Sequence, residues 1–464
     1  MSKKPMYLKR RASSKMLAAV LVIIGIVALH WAVKDEKKPL DNKYDFVIEQ
    51  TDFKGQVEEI TAPKSKVKAY YMYQKGRLTS YSLIFAQAGS AYEPAGKEGV
   101  ALLTAAVMKE GAGWWSAKEL RNLLRRDGIR LGFAADKDNF NATLTFPQDK
   151  ITEAVKYLRE IFKDPHFEAK YLENAKDNQL KTLAAETENP AVQLGLQFGK
   201  MMFGDFAYGR NPLGSAESIK GISRRDLVAL VRNNLNRNKL FVGIVGGLSK
   251  EEAAERLDEI LMPLSEGEYK DIGAAQINWR QEGVKMPRDM VQNILVYATE
   301  AACRQCADFY PLYMANYLFG GAGLNSRLNQ RMREAEGVTY GASSWLELND
   351  KANWLEVNFA AAGDKAEKAK QLFAEEWRKV QTEGFSAEEL QRVKNYMTAS
   401  FNLRFASTTG IAEMLAYCQK YGLGIDFLQK RNQLVEKVSL DELNAAARKY
   451  FGDNVLSGEI GNIN

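Results

Sequence analysis

Histidine is nearly missing from this chain: only His30 and His166 stand among 464 residues. A metal site built on two imidazoles of one helix cannot be made from them, since His30 lies in an apolar run near the start and His166 sits beside Pro165. No histidine is placed as a general base and no G-x-S-x-G elbow occurs, which leaves serine and cysteine hydrolases without support. Cysteine is scarce too, with three residues. Cys303 and Cys306 form a Cys-x-x-Cys that fits a redox pair or half a zinc site, but Cys418 stands alone and no second pair supplies further ligands. In an oxidising compartment the pair reads as a local disulfide or as two free structural thiols.

Acidic residues are absent from residues 1–16, which hold Lys3, Lys4, Lys9, Arg10, Arg11 and Lys15. These six account for the whole formal charge of +6, so the remainder of the chain is balanced. A nucleic-acid binder carries its basic excess on the folded part, and that class is set aside. The run Met16–Val33 has no acidic or permanently charged residue. At about 1.5 Å per residue it spans roughly 27 Å, close to the hydrocarbon thickness of a bilayer. Basic residues before it and Trp31 near its far end favour a cytoplasmic N-terminus with the rest exported. A signal peptide is the competing reading, but His30 and Ala32 make a poor cleavage site, so an uncleaved anchor is preferred.

With 46% hydrophobic and 26% charged residues, the chain can bury a large core and is long enough for more than one domain. The sequence also repeats itself. FEAKYLENAK (167–176) aligns with FSAEELQRVK (385–394), and residues 223–244 align with 439–460 at a similar offset, matching Ser223, Leu227, Asn238, Leu240 and Ile244 to Ser439, Leu443, Asn454, Leu456 and Ile460. Gly-Ala-Gly recurs at 111–113 and 321–323. Similar offsets in the same order predict two related halves. Tyr81–Ala88 reads as a strand, and Leu131–Ala134 with Phe140–Phe146 as a hairpin. Ile151, Ala154, Val155, Leu158, Ile161 and Phe162 follow helical spacing. Ser116 with Glu119, Ser386 with Glu389 and Ser439 with Glu442 fit capping boxes. The expected fold class is α+β, two homologous halves, each a mainly antiparallel sheet with helices packed on one side. The expected layout is a basic tail at 1–15, an anchor at 16–33 and a linker at 34–60. Halves at 61–265 and 284–464 follow, joined by a linker at 266–283.

Three blocks carry a family resemblance: AGSAYEPAGKEGVALLTAAVMKEGAG (88–113), FGDFAYGRNPLGSAESIKGI (203–222) and LFGGAGLNSRLNQRMREAEGVTYGASS (318–344). Together they resemble insulinase/pitrilysin-type zinc metallopeptidases, in the right order and in two halves. The resemblance implies a helical His-x-x-Glu-His with a later glutamate. Those positions fall on Leu102, Ala105 and Ala106, and near Lys181–Ala184, with no acid before Glu186. Residues 99–108 then read as a small apolar helix packed in a core. The resemblance also implies an arginine and a tyrosine that bind the substrate backbone and steady the reacting carbonyl. Here the segment is MREAEGVTY, with Arg333 and Tyr340. Gly320, Gly321 and Gly323 allow a tight turn that could line a substrate chamber, although a purely structural turn is the simpler reading.

Loss of the zinc set with retention of this pair resembles the non-catalytic subunits of bacterial heterodimeric members. The expected function is that of a subunit that binds no cofactor, is inactive alone, and supplies Arg333 and Tyr340 to a homologous zinc-bearing partner in peptide cleavage. The expected location is the bacterial inner membrane, single-pass, with both halves in the periplasm. The alternatives are a peptide-binding scaffold of the same fold without a peptidase partner, and a redox role for Cys303 and Cys306.

Overall fold

The computed structural model describes residues 53–267 and 271–463, and two sheets organise them. The first half runs β1 (Val57–Thr61), β2 (Lys68–Tyr73), β3 (Leu78–Ala86), α1 (Val100–Val107), α2 (Ala117–Arg126), β4 (Arg130–Ala135), β5 (Asn139–Pro147), α3 (Ile151–Lys163), α4 (Ala169–Glu188), α5 (Pro190–Phe203), α6 (Ala216–Gly221), α7 (Arg224–Asn234), β6 (Leu240–Gly246) and α8 (Lys250–Leu261). The second runs β7 (Val284–Pro287), β8 (Gln292–Glu300), α9 (Phe309–Asn316), two short π-helical segments (Tyr317–Gly321 and Asn329–Ala335), β9 (Thr339–Leu348), β10 (Asn353–Ala362), α10 (Ala366–Thr382), α11 (Ala387–Phe401), α12 (Thr408–Lys420), α13 (Phe427–Lys437), α14 (Leu440–Tyr450) and β11 (Leu456–Gly461). The basic tail and the apolar run Met16–Val33 lie outside the described residues. Among the described residues no helix is long and apolar enough to cross a membrane. The span expected as a linker to residue 60 gives way sooner, because β1 starts at Val57.

The α+β class holds, with two sheets of related topology. Their strand orders are β1-β2-β6-β3-β5-β4 and β7-β11-β8-β10-β9. In each, the last strand of the half runs parallel to an edge-side neighbour (β2 with β6, β7 with β11) and the other pairs are antiparallel. The expected hairpin forms between β4 and β5, and its alternation puts Phe140, Ala142, Leu144 and Phe146 wholly inside. Helix α3 buries Ala154, Leu158 and Ile161 against that face. The capping boxes close as expected: Glu119 and Glu442 accept from the amides of Ser116 and Ser439 at 2.9 and 2.8 Å, and Glu389 from that of Ser386 at 2.8 Å.

The repeated segments occupy equivalent elements: 167–176 leads into α4 and 385–394 into α11, while 223–244 covers α7–β6 and 439–460 covers α14–β11. In the last strand the match is one residue out of register. Leu240, Val242 and Ile244 face the core of their own half, whereas Leu456 and Ile460 face the opposite side of their sheet. Strand side chains alternate, so a one-residue slip turns the whole set to the other face.

Each half's own helices cover one face of its sheet, and the other face receives a helix from the opposite half. Helix α12 lies on β6, β3 and β2 of the first sheet, and α5 lies on β11, β7 and β8 of the second. The exchange is reciprocal, since α5 and α12 follow the equivalent helices α4 and α11. Close approach needs glycine: a Cβ on Gly243 would lie 1.9 Å from the Ala412 carbonyl oxygen, and one on Gly458 would meet Val296 and Phe198 at 2.8 and 3.0 Å. Gln419, at the end of α12, stitches the contact by accepting from the Val242 amide at 2.6 Å and donating to the Lys68 carbonyl at 2.8 Å.

Candidate functional site

Helix α1 carries the three positions where the resemblance requires zinc chemistry. Its start is set by Gly99, at φ of 97°, and by the buried Glu93, which accepts from the amides of Gly99 and Ala101 at 2.9 and 2.7 Å. Burial pushes the Glu93 carboxyl up to about 7, against the pull of those two hydrogen bonds. Gln179 of α4 donates to the Gly99 and Leu213 carbonyls at 3.3 and 2.7 Å, pinning α1 to α4. Within α1, Val100, Ala101, Leu103, Thr104, Ala105 and Val107 are buried, Leu102 is half-buried and Ala106 exposed. On α4, Lys181, Thr182 and Ala184 are exposed and Leu183 is half-buried. The scaffold of a helix-borne metal site is therefore in place, but Leu102, Ala105 and Ala106 hold no donor atom. Zinc does not fit here. Among the described residues no group of three or more His, Cys, Asp or Glu is placed to hold a metal ion. His166 instead bonds through Nε2 to the Gly113 carbonyl at 2.9 Å.

The second candidate cluster is in the C-terminal half. The π-helical segment Asn329–Ala335 ends in a turn where the Gly337 amide donates to the Arg333 carbonyl at 3.2 Å and the Val338 amide to Met332 at 2.9 Å. Gly337 takes φ of 58°, the left-handed residue such a helix end requires. This turn separates Arg333 from Tyr340 and makes Tyr340 the second residue of β9, an edge strand. Both side chains point outward: Arg333 is 41% exposed with Glu334 at 3.4 Å, and Tyr340 is 84% exposed. An exposed tyrosine on an unpaired strand edge leaves its hydroxyl free to meet a ligand.

The sequence reading overlooked Asn329, which is 2% exposed and holds this region together. Its side chain accepts from the Ala342 amide at 3.0 Å and donates to the Ala342 and Gly323 carbonyls at 2.6 and 2.8 Å, tying helix, glycine loop and edge strand. Its only sequence signal is an amide amid helix-forming residues. Of the three glycines, Gly320 is buried and a Cβ there would lie 2.5 Å from Ser344 Oγ of β9, a packing constraint. Gly321 ends the segment Tyr317–Gly321, where a Cβ would lie 3.3 Å from the Asn316 carbonyl oxygen. Gly323 has φ of 57° with open space about it. Cys303 and Cys306 form a disulfide, and Cys418 is a free, buried thiol that burial pushes up to about 12.

The fold is peptidase-like, and its helix-borne metal positions Leu102, Ala105 and Ala106 carry no ligand. Comparison agrees. Residues 71–209 match the family model for insulinase (peptidase family M16), and residues 221–397 match that for the peptidase M16 inactive domain. The chain belongs to the M16 family, as a member lacking the zinc motif. A relative from Helicobacter pylori named non-peptidase homolog YmxG is 22% identical over 396 residues, covering 85% of this chain and 91% of the relative. A Rickettsia bellii protein named an uncharacterized zinc protease is 21% identical over 386 residues, covering 82% and 91%. The crystal structure of a peptidase M16 inactive domain from Pseudomonas fluorescens superposes with a TM-score of 0.80 at 22% identity, covering 88% of this chain and 98% of that one. A protease from Helicobacter pylori superposes with a TM-score of 0.77 at 16% identity, covering 88% and 99%.

Proposed function

We propose that this chain is the non-catalytic subunit of a membrane-anchored, heterodimeric zinc metallopeptidase. A homologous subunit bearing His-x-x-Glu-His holds the zinc, and this chain contributes Arg333 and Tyr340 to peptide cleavage. The observation that carries the reading is the contrast between two sites of one chain: Leu102, Ala105 and Ala106 occupy the metal positions, while Arg333 and Tyr340 stay exposed on either side of the Gly337 turn. The guanidinium offers a fixed fork of donors and the phenol a single one. Both bind the backbone of an extended peptide, and a donor aimed at a carbonyl oxygen that gains negative charge lowers the barrier to its attack. The apolar run Met16–Val33 anchors the chain in a bacterial inner membrane, with the folded halves in the periplasm.

The test uses the full chain and the zinc-bearing homologue that co-purifies with it. The chain alone binds no stoichiometric zinc and cleaves no peptide. In the reconstituted pair, Tyr340→Phe deletes one hydroxyl and keeps the ring, so the complex should assemble normally while cleavage falls about a hundred- to thousandfold. Arg333→Ala should behave alike. Normal assembly with cleavage at the wild-type rate in both variants would show the pair to be structural and leave a scaffold of the same fold.

A further inference from the structure

A cavity of about 630 Å³ opens between α9, α12 and α13, at the end of β9 remote from Tyr340. That is the size of pocket that takes a small organic ligand. Its walls are aromatic, with Phe309, Tyr310, Tyr417 and Phe427 among them, and three arginines line it: Arg304, Arg404 and Arg431. Glu413 is the one acidic side chain in the lining. None of the three arginines forms an ion pair with a carboxylate among the described residues.

The arginines are held by other means. The Arg304 guanidinium lies 4.3 Å from the centre of the Phe309 ring and 5.2 Å from that of Phe427, with Tyr310 and Tyr417 within 6.0 Å. Ring faces attract the cation without taking its in-plane N–H donors, and of the four rings the Tyr417 hydroxyl is hydrogen-bonded to the guanidinium. Arg431 is 7% exposed, packs over Phe401 at 4.5 Å, and donates from one terminal nitrogen to the Met397 carbonyl at 2.6 Å and the Asn432 amide oxygen at 3.1 Å. A buried guanidinium without a carboxylate is costly unless something neutralises it. Arg404, on the turn Asn402–Phe405, adds a second positive charge that opposes that of Arg431. Burial raises the Glu413 carboxyl, and it forms no ion pair with the three arginines.

We propose that this cavity is a binding site for an apolar carboxylate, whose aromatic or aliphatic body lies against the rings and whose carboxylate is gripped by Arg304, Arg404 and Arg431. The planar fork of a guanidinium matches a carboxylate in two parallel hydrogen bonds, and the aromatic lining supplies the desolvated surroundings that strengthen them. Two sources present this chemistry: the C-terminus of a peptide ending in an apolar residue, and a free organic acid. The site needs no zinc-bearing partner, so its test is separate from that of the peptidase reading.

The experiment titrates the purified full chain by calorimetry with N-acetyl-alanyl-phenylalanine, its C-terminal amide, and 3-phenylpropionate. The free acid of the peptide should bind saturably, and its amide about tenfold or more weakly. Arg404→Gln and Arg304→Gln should each weaken binding by about fivefold or more, and Arg404→Gln, at an exposed position, should leave the thermal melting curve unchanged. Tighter binding of the dipeptide than of 3-phenylpropionate assigns the site to peptide C-termini, and the reverse order to free acids. Absence of saturable binding by both acids up to millimolar concentration overturns the proposal. So does equal affinity for acid and amide, or binding untouched by both variants.

Discussion

The Tyr208 hydroxyl donates to Asp138 Oδ1 at 2.5 Å, and this bond sits where the two halves meet. Asp138 belongs to the β4–β5 hairpin turn, and its second oxygen accepts from the Asp350 amide at 2.9 Å, in the equivalent β9–β10 turn of the other half. The Tyr208 oxygen in turn accepts from the Lys351 amide at 3.0 Å. Lys420, at the end of α12, completes the cluster with Asp350 at 2.9 Å and Asn139 at 2.7 Å. Burial raises both the Asp138 carboxyl and the Tyr208 phenol.

Tyr208→Phe should therefore loosen the junction of the halves. It leaves the Lys351 amide and one oxygen of a buried carboxylate without their partner, at a cost of about 1–3 kcal/mol. Urea denaturation should show the loss. A variant as stable as the wild type would mean that water replaces the phenol without penalty.

The reciprocal helix exchange predicts unequal tolerance at two glycines. Gly243→Ala drives a methyl into the backbone of α12, which cannot move without shifting the helix, so the loss should reach the upper end of about 1–3 kcal/mol or exceed it. Gly458→Ala meets side-chain atoms of Val296, Phe198 and Leu194, which can give, and should cost less. Thermal melting of both variants checks the order, and the reverse order contradicts the packing described.

Asn329→Ala removes the two bonds that tie β9 to the segment Asn329–Ala335, leaving the Ala342 amide and carbonyl without those partners. The expected loss is about 1–3 kcal/mol. Hydrogen exchange at Ala342 should accelerate, and in the reconstituted pair kcat should fall although no atom that meets substrate has changed. Unchanged exchange at Ala342 would remove Asn329 from its positioning role.

Glu93 links stability to pH. Its folded value of about 7 lies above the ordinary value of 4.5, so the folded state holds a proton that the unfolded state has released across that window. Stability is then greatest below about 4.5 and is lost as pH rises through about 7. Relative to Glu93→Gln, which cannot titrate, the wild type should gain up to about 3 kcal/mol between pH 8 and pH 4.5, at 1.36 kcal/mol per unit. Chemical denaturation of both proteins across that range measures the gain, and parallel curves reject the assignment.

Much of this was legible because it rests on local rules. The alternation at Phe140–Phe146, the spacing at Ile151–Phe162 and the serine–glutamate caps each need only a few consecutive residues, and each formed where expected. The pair Arg333 and Tyr340 came from the family resemblance rather than from a local rule, and the structure adds that the left-handed Gly337 turn lies between them. Asn329 escaped notice because its partners, Gly323 and Ala342, are apart in sequence and neither announces itself.

The sequence by itself determined that this chain makes no two-histidine zinc site, because composition cannot be repaired by folding. It also determined the duplication, because repeated apolar spacing and caps survive where identity has faded. Tertiary structure alone decided that α5 and α12 cross to the opposite sheets, and that β11 turns the other face inward from the one its match to β6 implied. Both depend on which surfaces meet across the halves, and an apolar stripe states only that it must be covered, not by what.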